Sequence, residues 1–184
     1  MVFGRQTLSE AAEAAAVVSI SIRYDQETMS RTRQWIGLIV WVAISFGAAA
    51  TGAQVTDPVW YQSLRKPDWA PPAWVFGPVW TALYLCMGIA AWLVWRRKGF
   101  AGARLALSLF LLQLVFNAAW TWIFFGLRRP GLAFAEIVVL WGLILATAVA
   151  FTGHHRVAAW LLAPYLLWVT YAAMLNGALW QLGA

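Results

Sequence analysis

Trp80, Tyr84, Gln113, Asn117, Trp120, Glu136, Tyr165, Trp168 and Asn176 are the side chains with the most chemistry to offer. Each puts an indole, a phenol, an amide or a carboxyl into a stretch that is otherwise apolar. No nucleophile-base pair, paired carboxylates, phosphate loop or zinc-ligand spacing accompanies them, so the chemistry on offer is recognition rather than bond making. Gln113, Asn117, Trp120, Thr121 and Phe124 recur at helical spacing on one face. Tyr165, Trp168, Ala172, Leu175 and Asn176 form a second such stripe. Flat rings with a few hydrogen-bonding groups suit a large, planar, apolar ligand with a polar edge.

Something must hold these residues together, and the composition says what. With 62% hydrophobic and 11% charged residues and a mean hydropathy of +0.69, the chain lies far from the roughly one-quarter charged composition of soluble domains. An all-α fold follows: an integral membrane bundle of five transmembrane helices, because in lipid every backbone polar group must be bonded within its own segment. Gln34 to Thr56 is uncharged and contains a first span, Trp35 to Gly52. The others are Val75 to Trp95, Leu105 to Leu127, Gly131 to Thr152 and Val157 to about Trp180, separated by Arg96-Arg97-Lys98, Arg128-Arg129-Pro130 and His154-His155-Arg156. Residues 1–33 are small and mixed in charge and are expected to be a disordered extension, with Met29 as an alternative start. Residues 34–184 form the membrane domain.

Between the first two spans, residues 53–74 are expected to fold as a lid. Trp60, Trp69 and Trp74 with Pro67, Pro71 and Pro72 make this stretch too broken for one helix and too aromatic for a solvated linker. Pro71 and Pro72 favour extended backbone before them, with the next helix beginning near Ala73.

Tracing the chain up and down brings Trp80, Tyr84, Asn117, Trp120, Glu136, Trp168, Ala172, Leu175 and the small residues Ala48 to Gly52 to the lid-side half of the bundle. Plainer roles compete. Trp35, Trp92, Trp95, Trp160 and Trp180 fit an interfacial aromatic belt, and Trp80 and Trp120 fit either belt or cavity. Gln113 and Asn117 also serve as interhelical glue. Glu136 is costly in hydrocarbon and so is a functional candidate; its plainer role is an anchor bonded to Arg128, Arg129 or the lid backbone. Gly142, Ala146 and Ala150, and Ala43, Gly47 and Thr51, are small-residue rows that suit internal bundle packing or a dimer contact.

The net charge of +6 is explained by topology rather than by nucleic acid, since the cations sit at span ends with no basic-aromatic surface. Seven cations from Arg31 to Arg156 fall on one side and four, Arg65, Lys66, Arg128 and Arg129, on the lid side, which favours a cytoplasmic amino terminus. Cys86 is the only cysteine, which excludes an intrachain disulfide or cysteine metal cluster, and no metal site is expected.

Three separated motifs carry a resemblance. Trp69-Ala70-Pro71-Pro72 with Trp74, Pro78, Trp80 and Tyr84, then Phe116-Asn117-Ala118-Ala119-Trp120 with Ile123-Phe124-Phe125-Gly126, then Pro164-Tyr165-Leu166-Leu167-Trp168 with Leu175-Asn176, closely resemble the tryptophan-rich sensory protein / translocator protein family. The likeness covers about Trp35 to Trp180. It implies a five-helix receptor, often a homodimer, in a bacterial membrane or a mitochondrial outer membrane, with no cofactor required. Its implied ligands are protoporphyrin IX and haem, and in many members sterols and isoquinoline or benzodiazepine compounds. Trp80 and Trp168 match tryptophans associated with light-dependent porphyrin degradation. Asn117, Trp120, Ala172 and Leu175 match pocket positions, and Glu136 a position that usually holds an acid. The Tyr and Arg of the animal cholesterol-recognition segment are replaced by Gly177 and Gln181, so cholesterol binding of that type is not implied. Sensing, photo-oxidative porphyrin breakdown at Trp80 and Trp168, and porphyrin or lipid transport are the three functions the resemblance leaves open.

Overall fold

A computed structural model describes residues 29–183, and residues 1–28 of the expected extension lie outside it. The helices are α1 (Arg31–Ala53), α2 (Pro58–Ser63), α3 (Phe76–Gly102), α4 (Arg104–Thr121), α5 (Pro130–Thr152), α6 (Arg156–Leu161) and α7 (Ala163–Gln181), with a 3-10 turn at Ala73–Val75 and a π turn at Trp122–Gly126. Among the described residues, five segments are long and apolar enough to cross a membrane, α6 and α7 together making the fifth. The chain divides between Ile36 and Gly37. In the first unit, Ser30 caps the start of α1 by accepting from the Arg33 amide. Bundle, lid and cavity all belong to the second unit.

The core of that unit sits where α3, α4, α5 and α7 meet, around Met87, Val94, Leu107, Phe110, Ile144, Phe151 and Tyr165, all at most 1% exposed. The outer surface is equally apolar: Leu105, Val115, Val149 and Leu167 stand open, as a helix facing hydrocarbon requires. α1 docks by close approach rather than by large side chains. A Cβ on Gly88 would lie 2.7 Å from the Val42 Cα, and one on Gly52 would lie 3.0 Å from Thr121.

Several local expectations are corrected. The second span does not end at the basic cluster; α3 runs through Arg96-Arg97-Lys98 to Gly102, broken only at Gly99, whose φ of 63° glycine alone accepts at low cost. The fifth span is two helices, parted at Leu162 because Pro164 lacks the amide that a continuous helix would use. The first small-residue row faces outward rather than into the bundle, and so do two members of the second, whereas its third, Ala150, packs against the core. Ala43, Gly47 and Thr51 lie on the side of α1 opposite Trp41 and Ser45, and Gly142 and Ala146 lie opposite Leu140 and Ile144 on α5.

Candidate ligand-binding cavity

The lid is built from its own residues first. Asp57 caps α2 by accepting from the amides of Val59 and Trp60, both at 3.0 Å, and Pro58 fills the first turn, where no amide is needed. At the other end of α2, Lys66 Nζ donates to the carbonyls of Tyr61, Gln62 and Leu64. Three contacts then tie the lid to the bundle. Arg128 pairs with Asp57 at 3.2 Å, Tyr171 Oη donates to the Trp69 carbonyl at 3.0 Å, and Trp60 packs edge-on against Phe124 and Phe125.

Replacing Asp57 with alanine removes the cap, worth about 1 kcal/mol, and an exposed ion pair that adds little. The expected result is about fivefold faster hydrogen exchange at the Val59 and Trp60 amides with global unfolding nearly unchanged. Unaltered exchange there would show that the cap does not hold the lid.

Beneath the lid is a cavity of about 340 Å³. α1 and the segment after it supply its small wall, Ala49, Gly52, Ala53 and Thr56; α2 and its flank supply Pro58 and Tyr61; α3 and the turn before it supply Ala73, Phe76, Gly77, Trp80 and Tyr84. Trp120, Thr121, Phe124 and Phe125 come from α4 and the π turn, and Trp168, Ala172, Leu175, Asn176 and Leu179 from α7. No side chain on this wall is charged.

The floor is a buried hydrogen-bond chain. Tyr84 Oη donates to Asn117 Oδ1, Asn117 Nδ2 donates to Tyr165 Oη at 3.0 Å, and Tyr165 Oη donates to Gln113 Oε1 at 3.0 Å. Trp80 stacks on Tyr84 at 5.4 Å, so the chain fixes the ring that the indole lies against. On the neighbouring wall Trp120 Nε1 donates to Asn176 Oδ1 at 3.1 Å, Asn176 Nδ2 donates to the Pro130 carbonyl at 2.8 Å, and Trp120 stacks on Phe124 at 5.0 Å and 16°. Both amides have their donors and acceptors matched inside the protein, which makes them positioning groups for the aromatic walls.

Of the residues singled out from the sequence, Trp80, Tyr84, Trp120, Trp168, Ala172 and Leu175 line this cavity together. Asn117 lies just behind the wall, 3% exposed. Trp69 faces a separate shallow groove between α5 and α7, with Phe134, Val138, Trp141 and Gly177. Glu136 is not on the cavity wall. Its expected anchoring bond is corrected, because both carboxylate oxygens are buried without a partner while Arg128 turns to Asp57 on the lid.

Tyr61 and Phe76 were not singled out, and Phe125 stood only within the Ile123-Phe124-Phe125-Gly126 motif. Asp57-Pro58 carries the signal for a short helix that would have placed Tyr61 under the lid, and Phe76 precedes Trp80 by one helical turn. Helical spacing did not put Phe125 on the cavity wall, which it reaches through the π turn. Burial raises the Tyr61 phenol pKa, with the neighbouring Tyr171 phenol adding to the effect.

The family described as TspO/MBR matches residues 35–181. The chain is similar to the translocator protein of Bos taurus, 37% identical over 152 residues covering 80% of this chain and 90% of that one. It is also similar to the tryptophan-rich sensory protein of Cereibacter sphaeroides, 39% identical over 142 residues covering 77% and 88%. A third relative, protein CrtK of Rhodobacter capsulatus, is 40% identical over 139 residues covering 73% and 85%.

Proposed function

We propose that this chain, which belongs to the TspO/MBR family, is a multi-pass membrane receptor that holds a porphyrin, protoporphyrin IX or haem, beneath its lid and thereby senses tetrapyrrole supply. One observation carries the reading: a charge-free cavity walled by Trp80, Tyr84, Trp120, Phe124 and Trp168, with Asn117 behind the wall and Asn176 on it bracing the rings. Flat aromatic walls favour a flat aromatic guest, each stacked or edge-on ring pair contributing about 1 kcal/mol beyond area burial. The porphyrin is the ligand rather than a cofactor. Isoquinoline or benzodiazepine compounds, being smaller flat rings, compete for the same walls, and a homodimer through an outward small-residue row is compatible with a cavity enclosed within one chain.

Protoporphyrin is expected to quench the tryptophan fluorescence of the purified protein saturably. Trp80→Leu weakens binding about fivefold, the value of one lost aromatic contact. Quenching that does not saturate, or that is the same in Trp80→Leu and Trp168→Phe, would remove the cavity from the function.

Photo-oxidative breakdown is the second reading, favoured by Trp80 and Trp168 lining the same cavity. Porphyrin excited by light activates oxygen, and these indoles are oxidisable groups next to it. Illumination in air and under nitrogen, with the parent chain and with Trp80→Phe plus Trp168→Phe, separates this from binding. Equal bleaching rates would exclude it.

A further inference from the structure

Most polar groups on the cavity wall are already committed: Tyr84 Oη to Asn117, Trp120 Nε1 to Asn176, Thr56 Oγ1 to the Gly52 carbonyl. Among the buried donors of the wall, Tyr61 Oη and Trp168 Nε1 are the two without a hydrogen-bond partner. The two residues share one neighbour: Phe76 meets Tyr61 edge-on at 5.7 Å and Trp168 edge-on at 5.8 Å. The Tyr61 and Trp168 rings, which carry these two buried donors, therefore both lie against a single ring at the lid end. Phe76 opens α3, and Tyr84 lies eight residues on, about 12 Å deeper at helical rise.

Charge is distributed in the same sense. Lys66 Nζ stands 5.1 Å from the centre of the Tyr61 ring and the Arg128 guanidinium 5.5 Å from that of Trp60, whereas no charged side chain lines the cavity. The raised pKa of the Tyr61 phenol keeps it a neutral O–H donor.

We propose that Tyr61 Oη and Trp168 Nε1 form a two-donor seat for sp² oxygen, a carboxylate or carbonyl, on the edge of the ligand. The guest displaces the Phe76 ring, lies with its oxygen-bearing edge under the lid, and turns its bare apolar edge toward Tyr84. Lys66 and Arg128 favour the carboxylate form by proximity. The assignment rests on the porphyrin reading and adds to it an orientation and a requirement: side chains that end in oxygen.

The test compares three porphyrins on the purified full chain by fluorescence quenching: protoporphyrin IX, its dimethyl ester, and a porphyrin with alkyl substituents alone. The parent is expected to prefer protoporphyrin over the alkyl porphyrin, and Tyr61→Phe, which removes one hydroxyl and keeps the ring, to narrow that preference about tenfold. Trp168→Phe narrows it in the same direction. An ester that keeps the preference identifies carbonyl oxygen as sufficient, and one that loses it identifies the carboxylate; either supports the seat. A preference unchanged in both variants, or affinity for both porphyrins falling in proportion, overturns the seat while leaving porphyrin binding intact. No saturable binding of any of the three by the parent overturns the porphyrin reading, and the seat with it.

Discussion

Asn117→Leu is expected to destabilise the bundle by about 3 kcal/mol, a large share of the stability of a protein this size. The side chain is 3% exposed and stands between two phenols, accepting from Tyr84 and donating to Tyr165. Leucine keeps the same branched outline with four side-chain heavy atoms and is the bulkier of the two, so no cavity is left and the loss comes chiefly from hydrogen bonding. Tyr165 keeps a role as donor to Gln113, but the Tyr84 hydroxyl is left with no acceptor in a site 6% exposed. An orphaned buried donor costs about 1–3 kcal/mol, more than the net value of the bond it lost. Adding Tyr84→Phe removes that orphan, so the double variant is expected to recover about 1 kcal/mol relative to Asn117→Leu alone. Thermal unfolding in one detergent, run as a double-mutant cycle, gives the coupling directly. Strictly additive losses would mean that Tyr84 and Asn117 do not act as a pair. Porphyrin binding is expected to weaken in parallel, because Tyr84 is the surface on which Trp80 stacks.

That network also separates what can be read in the chain from what cannot. Gln113, Asn117, Trp120 and Phe124 announce a common face by spacing alone, and lipid makes the inference firm because a polar residue there must find a partner. The number and order of spans follow from uncharged runs between basic clusters for the same reason. Partner choice is another matter. Asn117 binding Tyr84 and Tyr165, rather than Glu136 or a lid carbonyl, depends on helix rotations that a 3.6-residue period leaves free. α5 turns no residue onto the cavity wall, so Glu136 stands off it although it shares the lid-side end of the bundle.

The lid divides in the same way. Its prolines fix local backbone geometry, but Trp69 turns outward because its carbonyl is held by Tyr171 on α7, a contact 102 residues distant in sequence. The π turn at Trp122–Gly126 has no residue signature at all. One wider turn, closed by the Leu127 amide donating to the Trp122 carbonyl at 2.9 Å, carries Phe124 and Phe125 to the underside of the lid.

Gly88→Val is expected to do the most damage of any single substitution considered, because it strikes backbone. A Cβ at residue 88 lies 2.7 Å from Val42 Cα and 3.0 Å from Val42 N, and neither can swing aside as a side-chain tip would. α1 must back away from α3, which costs about 3 kcal/mol or more by the usual range for overpacking. The effect on function follows from what α1 carries: Ala49 and Gly52 form the small wall opposite the aromatic rings, and the lid begins immediately after α1. Moving that helix opens the cavity sideways into the bilayer and slackens the lid at once, so loss of porphyrin binding is expected even in detergents that keep the protein folded. Gly47→Ala is the matched control. Gly47 is exposed on the other face of the same helix with nothing within 4 Å of an added Cβ, and alanine there is expected to stabilise by up to about 1 kcal/mol through helix propensity. If Gly88→Val and Gly47→Ala unfold alike and bind porphyrin alike, close backbone contact between the first two spans does not shape the cavity. If only Gly88→Val loses binding, the glycine that brings two helices together also sets the width of the site.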